Sequence, residues 1–189
     1  MTMIHHRHAS ASEAFHEVAA AVLAALPPGI SRQLTACRVS VVTTGRTLDA
    51  RPDLRGSLPS VEPLAGLYDR GLRQAVLPEW IVDLDGERPA FIPDGVLRHE
   101  LGHALDHCLG NMSQTRRMRS AYARGAEFAA DLDAAGELGY YLHEGVEGRR
   151  EAFAEAVAVA LGGGAEVAHP ELFQACFREL IDLVTELVR

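Results

Sequence analysis

The sequence predicts a single α+β domain over residues 1–189, with a small mixed sheet in its first half and mostly helices in its second. Three observations carry that prediction. Short extended segments, led by the β-branched run "CRVSVVTT" at 37–44, are confined to the chain before residue 94. Helical periodicity dominates from Asp94 onward. A length of 189 residues at 48% hydrophobic content fits one domain with a sizeable core.

Taken in order, residues 1–28 hold an amphipathic helix with Phe15, Val18, Val22 and Leu26 on one face, Ser10 or Ser12 as its cap and Pro27-Pro28 as its stop. Glu13, His16 and Glu17 interrupt its apolar part, which is therefore too short for a secretion signal. Nothing approaches the roughly 20 apolar residues of a membrane span. A cytoplasmic protein is expected. After the strand at 37–44, residues 44–63 are rich in Gly, Pro, Ser and charge and read as a loop. "GLYDRGLRQAVLPEW" (66–80) reads as strand, turn at Asp69-Arg70-Gly71, and strand ended by Pro78. Further extended segments surround a turn at Asp85-Gly86.

Four helices follow. The first runs over 94–110, with Asp94 as N-cap and Gly110 as stop. The others cover Gln114 to Ala135, Arg149 to Leu161, and Pro170 to Val188 within a C-terminal helical segment at 169–189. There is no internal repeat. A net charge of −8, with all 18 basic residues arginine, argues against a nucleic-acid surface. The odd set Cys37, Cys108 and Cys176 reads as buried free thiols in a reducing compartment.

The chemistry begins in "RHELGHALDH" (98–107), which holds an HExxH arrangement. On a helix, His99 and His103 stand one above the other, so both imidazoles can reach one cation while Glu100 points at a bound water. By chance such a match occurs in roughly one sequence of this composition in thirty, so context must carry the rest. Leu97, Leu101, Ala104, Leu105 and Cys108 cluster opposite His99, His103 and Asp106, giving one core face and one polar face. His107 lies about 12 Å of rise beyond His99, too far for both to close on one ion, and is expected outside the ligand set.

A third ligand must come from elsewhere. The helix "RREAFAEAVAVA" is apolar on nearly every side except for Glu151 and Glu155, at i and i+4. A buried carboxylate is costly unless paired or metal-bound, so Glu151 reads as the ligand and Glu155 as the partner of a ligand histidine. Glu127 in "GAEFAADLD" is the alternative ligand, on a more ordinarily amphipathic helix.

"HELGHALD", then "YYL", then "EAFAEAVA", together with "GLYDRGLRQAVL", resembles the catalytic domain of the anthrax lethal factor family and its relatives the Pro-Pro endopeptidases, over roughly residues 64–161. The Mlc titration factor peptidases share a similar plan. The resemblance implies a zincin-like fold and a zinc metalloendopeptidase that hydrolyses peptide bonds by glutamate-assisted attack of a zinc-bound water. It implies one zinc ion on His99, His103 and Glu151, Glu100 as general base, and Asp106 and Glu155 behind the ligands. It also implies an oxyanion-stabilising tyrosine, either Tyr140 or Tyr141, with His143 as a weaker substitute. These tyrosines lie 11 and 10 residues before Glu151, a wider spacing than the family shows.

A peptide or protein substrate is expected, with the extended segment near 66–77 offering an edge strand to pair with it. Nucleic acid and membrane partners are not. Two other readings stay open: a non-catalytic zinc-binding interaction module, and an Fe(II) enzyme, since two histidines and a carboxylate also hold iron. Glu100 favours hydrolysis, which needs a base where oxygenation does not.

Overall fold

In a computed structural model of the chain, the described residues are 3–54, 65–83, 86–90, 93–132, 136–163 and 170–188. The strands are β1 (Ile4–Arg7), β2 (Ser40–Thr44), β3 (Leu67–Asp69), β4 (Gln74–Pro78), β5 (Trp80–Asp83) and β6 (Gly86–Pro89). The helices are α1 (Glu13–Ala25), α2 (Pro28–Ala36), α3 (Thr47–Ala50), α4 (Pro93–Cys108), α5 (Arg116–Asp131), α6 (Val146–Ala160), α7 (Pro170–Cys176) and α8 (Arg178–Val188). The α+β organisation is as expected.

One sheet runs in the order β1-β2-β4-β3, with β1, β2 and β4 parallel and β3 antiparallel to β4 at one edge. β5 and β6 form a separate antiparallel hairpin. β2 is central, and Val41 to Thr44 are all buried, which is why its residues form a continuous run without alternation. The strand–turn–strand expected over 66–80 is β3 and β4, paired Leu67 to Val76.

Several expectations change in detail. Ser12 caps α1, accepting from the Phe15 amide at 3.2 Å, but the buried face is Phe15, His16, Ala19 and Val22, and Val18 is exposed. Pro27-Pro28 ends α1 and also starts α2, where Pro28 sits in the first turn and needs no amide partner; the two helices meet at 107°. Residues 37–39 are the turn from α2 into β2, with Arg38 in the left-handed region at φ 60°, so the strand begins only at Ser40. The histidine-rich N-terminus forms β1, whose polar residues carry no alternation signal. The predicted loop contains α3, and its residues 55–64 lie outside the described residues, as do Asp85 of the predicted turn and residues 133–135.

Asp94 lies inside the first turn of α4 and accepts from Arg98 Nη1 at 2.9 Å, so it is not the cap. Gly110, at φ 73°, stops the helix as predicted: its amide bonds to the His107 carbonyl and that of Asn111 to the Asp106 carbonyl, a Schellman closure. Thr115 caps α5. The helix expected over Pro170 to Val188 is two, α7 and α8, which join at Phe177, a buried ring packed against Tyr122 and Phe173. The thiols are unlinked, but Cys37 and Cys108 are half-buried, with only Cys176 buried.

α4 is the centre of the domain, with β3 and β4 on one side and α6 along the other. The approach of the two helices is set by Gly102: a Cβ there would lie 2.7 Å from the Ala154 backbone.

Candidate metal centre

α4 is buried nearly all round, which the expected core-face and polar-face division understates. Leu97, Leu101, Ala104 and Leu105 are buried as anticipated and Cys108 is half-buried, but Val96, His99, Glu100 and Asp106 are buried too. The polar side of the helix faces α6 instead of water.

α6 buries Ala152 to Ala158 and turns Glu151 and Glu155 toward α4. Glu155, fully buried, receives His99 Nδ1 on Oε2 at 3.0 Å. Its Oε1 has no hydrogen-bond partner among the described residues. On the other ring nitrogen, His99 Nε2 lies 3.2 Å from Glu151 Oε2, and His103 Nε2 lies 3.3 Å from the same oxygen. One ligand atom from each of His99, His103 and Glu151 falls within 4.8 Å of the others. Two atoms bound to a tetrahedral zinc at about 2.1 Å are about 3.4 Å apart, so the His–Glu spacings suit such an ion. The donor set fits: two imidazole nitrogens and a carboxylate oxygen converge, and the far nitrogen of His99 is held by a second carboxylate, as ligand histidines usually are.

The electrostatics follow from this crowding. Burial disfavours a charged His99, but hydrogen bonds to Glu151 and Glu155 outweigh it and push its pKa up to about 10. Burial likewise opposes ionisation of Glu151, yet His103 and His99 hold its carboxyl well below the usual carboxylate range. The two shifts describe one interaction from its two ends: the carboxylates demand positive charge here, and a divalent cation can supply it in place of protons. Burial pushes Glu100 up, against the pull of His103 and His99.

Glu100 sits under the edge strand, its carboxylate hydrogen-bonded to the Tyr68 backbone. A Cβ at Gly66 would lie 2.7 Å from Glu100 Oε1, so only glycine lets β3 approach this closely. Gly66 and Tyr68 were absent from the sequence-based candidates. Their signal was positional: a glycine two residues before a buried tyrosine in the first strand of the hairpin that the sequence predicts over 66–80.

The structure separates the tyrosines. Tyr140 is exposed and donates to Glu151 Oε2 at 2.7 Å. Tyr141 is buried, its ring 4.8 Å from that of Phe173 and its carbonyl accepting from Tyr122 Oη at 2.9 Å. α6 begins at Val146, three residues before the predicted start, and this extra helix takes up part of the wide tyrosine–glutamate spacing. His143 is exposed, its ring 6.4 Å from that of Tyr140.

The other candidates lie elsewhere. The Asp106 carboxylate accepts from the Ser113 amide at 2.6 Å, bracing the turn after α4. His107 Nδ1 is 2.9 Å from Tyr68 Oη and takes no part in the convergent triad. Glu127 is exposed on α5.

No protein-family description matches the chain, and no curated protein matches it in sequence. Its structure is similar to that of the PRO-PRO endopeptidase (PPEP-2) from Paenibacillus alvei, with a TM-score of 0.60 over 97% of each chain at 16% identity. The two chains share a fold. The likeness spans nearly all of both molecules, more than the 64–161 segment that the sequence motifs pointed to.

Proposed function

We propose that this chain is a zinc-dependent metalloendopeptidase. The observation that carries the reading is the convergence of His99, His103 and Glu151 on one point with Glu155 fixing His99 from behind. His99, His103 and Glu151 would hold the zinc, which when bound would supply a water with its pKa lowered toward 7 and a Lewis acid for a carbonyl. Glu100, beside the triad and raised in pKa by burial, takes the proton of the attacking water and passes it to the departing amine. Tyr140, with its hydroxyl at the rim of the site, donates to the oxyanion of the tetrahedral intermediate. Glu155 keeps the proton on His99 Nδ1 and so leaves Nε2 free to ligate. β3, the edge strand of the sheet among the described residues, offers a side beside Glu100 for an extended peptide to pair with.

The decisive test is a peptide library that includes Pro–Pro bonds, incubated with zinc-loaded wild type and with Glu100→Gln. Cleavage by the wild type alone, read by mass spectrometry, is the expected result. Zinc bound with both forms silent overturns the peptidase reading in favour of a binding module. Metal analysis of the purified chain separates zinc from iron.

A further inference from the structure

Tyr140 reaches Glu151 from a turn, not from a helix or a strand. Residues 138–142 fold back on themselves, the Tyr141 amide donating to the Leu138 carbonyl at 2.9 Å and the Leu142 amide to the same oxygen at 3.2 Å. Leu138 and Tyr141 are buried, while Tyr140 between them is exposed. Such a turn fixes its own shape, but a separate contact must fix where it sits relative to α6.

Tyr122 of α5 supplies that contact. Its hydroxyl donates to the Tyr141 carbonyl at 2.9 Å and also lies 3.3 Å from the His143 carbonyl, so it holds the backbone on both sides of Leu142. Its ring is stacked on that of Phe177, centroids 5.8 Å apart, and Phe177 packs on Phe173, which in turn carries the Tyr141 ring. α6 closes on the same point: a Cβ at Gly148 would lie 2.1 Å from the His143 carbonyl oxygen and 2.7 Å from the Tyr122 hydroxyl. Only glycine leaves room for hydroxyl and carbonyl to meet here, three residues before Glu151. The rings of Tyr141 and His143 flank that of Tyr140, at 5.2 and 6.4 Å. The two residues whose carbonyls Tyr122 holds are therefore the two that support the Tyr140 phenol.

We propose that Tyr122 is a positioning residue for Tyr140: by binding the carbonyls of Tyr141 and His143, it keeps the Tyr140 hydroxyl beside Glu151, where the oxyanion forms. This rests on the peptidase reading, which gives Tyr140 the oxyanion. Tyr122 itself takes no part in the triad. It acts through the turn, because a donor misplaced by about 1 Å loses much of its effect in the transition state.

Tyr122→Phe removes the hydroxyl and keeps the stacked ring. Measured per zinc-binding site on a cleaved peptide, its kcat is expected to fall about tenfold with KM and zinc affinity unchanged. In a Tyr140→Phe background the same substitution should change kcat by no more than about twofold, because the hydroxyl it positions is gone. A bond that served only to stabilise the fold would act alike in both backgrounds. Equal falls in the two, or no fall with Tyr140 present, overturn the proposal. If no peptide is cleaved at all, the peptidase reading fails, and fluorine NMR of the chain carrying a fluorotyrosine at position 140 still decides the positioning. A resonance distinct from that of free fluorotyrosine, moving toward the free value in Tyr122→Phe, supports it. A resonance that the substitution leaves unchanged overturns it.

Discussion

Tyr140 and Tyr141 are chemically identical neighbours, and their surroundings give them different work. A hydroxyl 2.7 Å from the carboxylate of Glu151, the proposed ligand, can contribute to transition-state stabilisation, whereas a ring packed on Phe173 contributes to the core. Tyr140→Phe is therefore expected to lower kcat by about 10²–10³ with zinc affinity retained, the usual cost of one oxyanion donor. Tyr141→Ala should instead cost about 3 kcal/mol of stability, seen as a lower thermal midpoint. Reversed outcomes would exchange the two roles.

The same contrast applies to the ligands. In zinc titrations, His103→Ala and Glu151→Ala should abolish tight binding, while His107→Ala and Glu127→Ala should leave it nearly intact, since neither side chain reaches the triad. Glu155→Gln should weaken zinc about 10–100-fold by loosening the His99 ring. His99, Glu100 and His103 were legible as a group because helical spacing alone puts the histidines on one face. Glu151 and Glu155 were legible because two carboxylates on an otherwise apolar helix demand a partner. Asp106 shows where such logic stops: its place beside the histidines suggested a role behind them, and its hydrogen bond goes to the following turn.

At the scale of elements, the site depends on how closely α4 and α6 approach. Gly102 lies against Ala154, between the levels of Glu151 and Glu155, so added bulk there pushes the glutamates away from the histidines. Gly102→Val should cost about 1–3 kcal/mol through overpacking and weaken zinc in parallel; unchanged zinc affinity would show that the ligands do not need this contact. Glycine at position 102 was visible in the sequence only as part of a motif. Its reason, the backbone of another helix 2.7 Å from where its Cβ would be, belongs to the packing. Helix ends were read best where the signal was local, as at Gly110 and Ser12. They were missed where it was not, as at Phe177, the junction of α7 and α8, whose buried ring lies against Tyr122 of α5 and Phe173 of α7.

For the whole molecule, the shared charge of the centre makes stability depend on pH and metal together. In metal-free protein, His99 has a folded pKa near 10 against an ordinary 6.5, so its contribution is fully present below pH 6.5 and is lost as pH rises toward 10. Glu151 is lowered from 4.5, so its contribution is present above that value and is lost as pH falls below it. Metal-free protein should then be most stable between about pH 4.5 and 6.5, with a thermal midpoint that declines above. The proposed zinc would compete with the His99 proton, so the zinc-induced rise in midpoint should grow from pH 6.5 upward. Thermal denaturation with and without chelator over pH 5–9 checks both slopes. A zinc shift independent of pH would mean that His99 is not displaced from its proton by the metal.

The sequence by itself determined the α+β class, the order of its main strands and helices though not β1, α2, α3 or the α7–α8 break, and the residues with reason to gather at a cation, because periodicity, caps and the cost of burying charge are local properties. Only the tertiary structure decided which tyrosine meets Glu151 and how the chain at Gly66 and Tyr68 settles on Glu100. Those are relations among atoms far apart in the chain, and they are set by how closely packed helices and strands approach, which no single segment specifies.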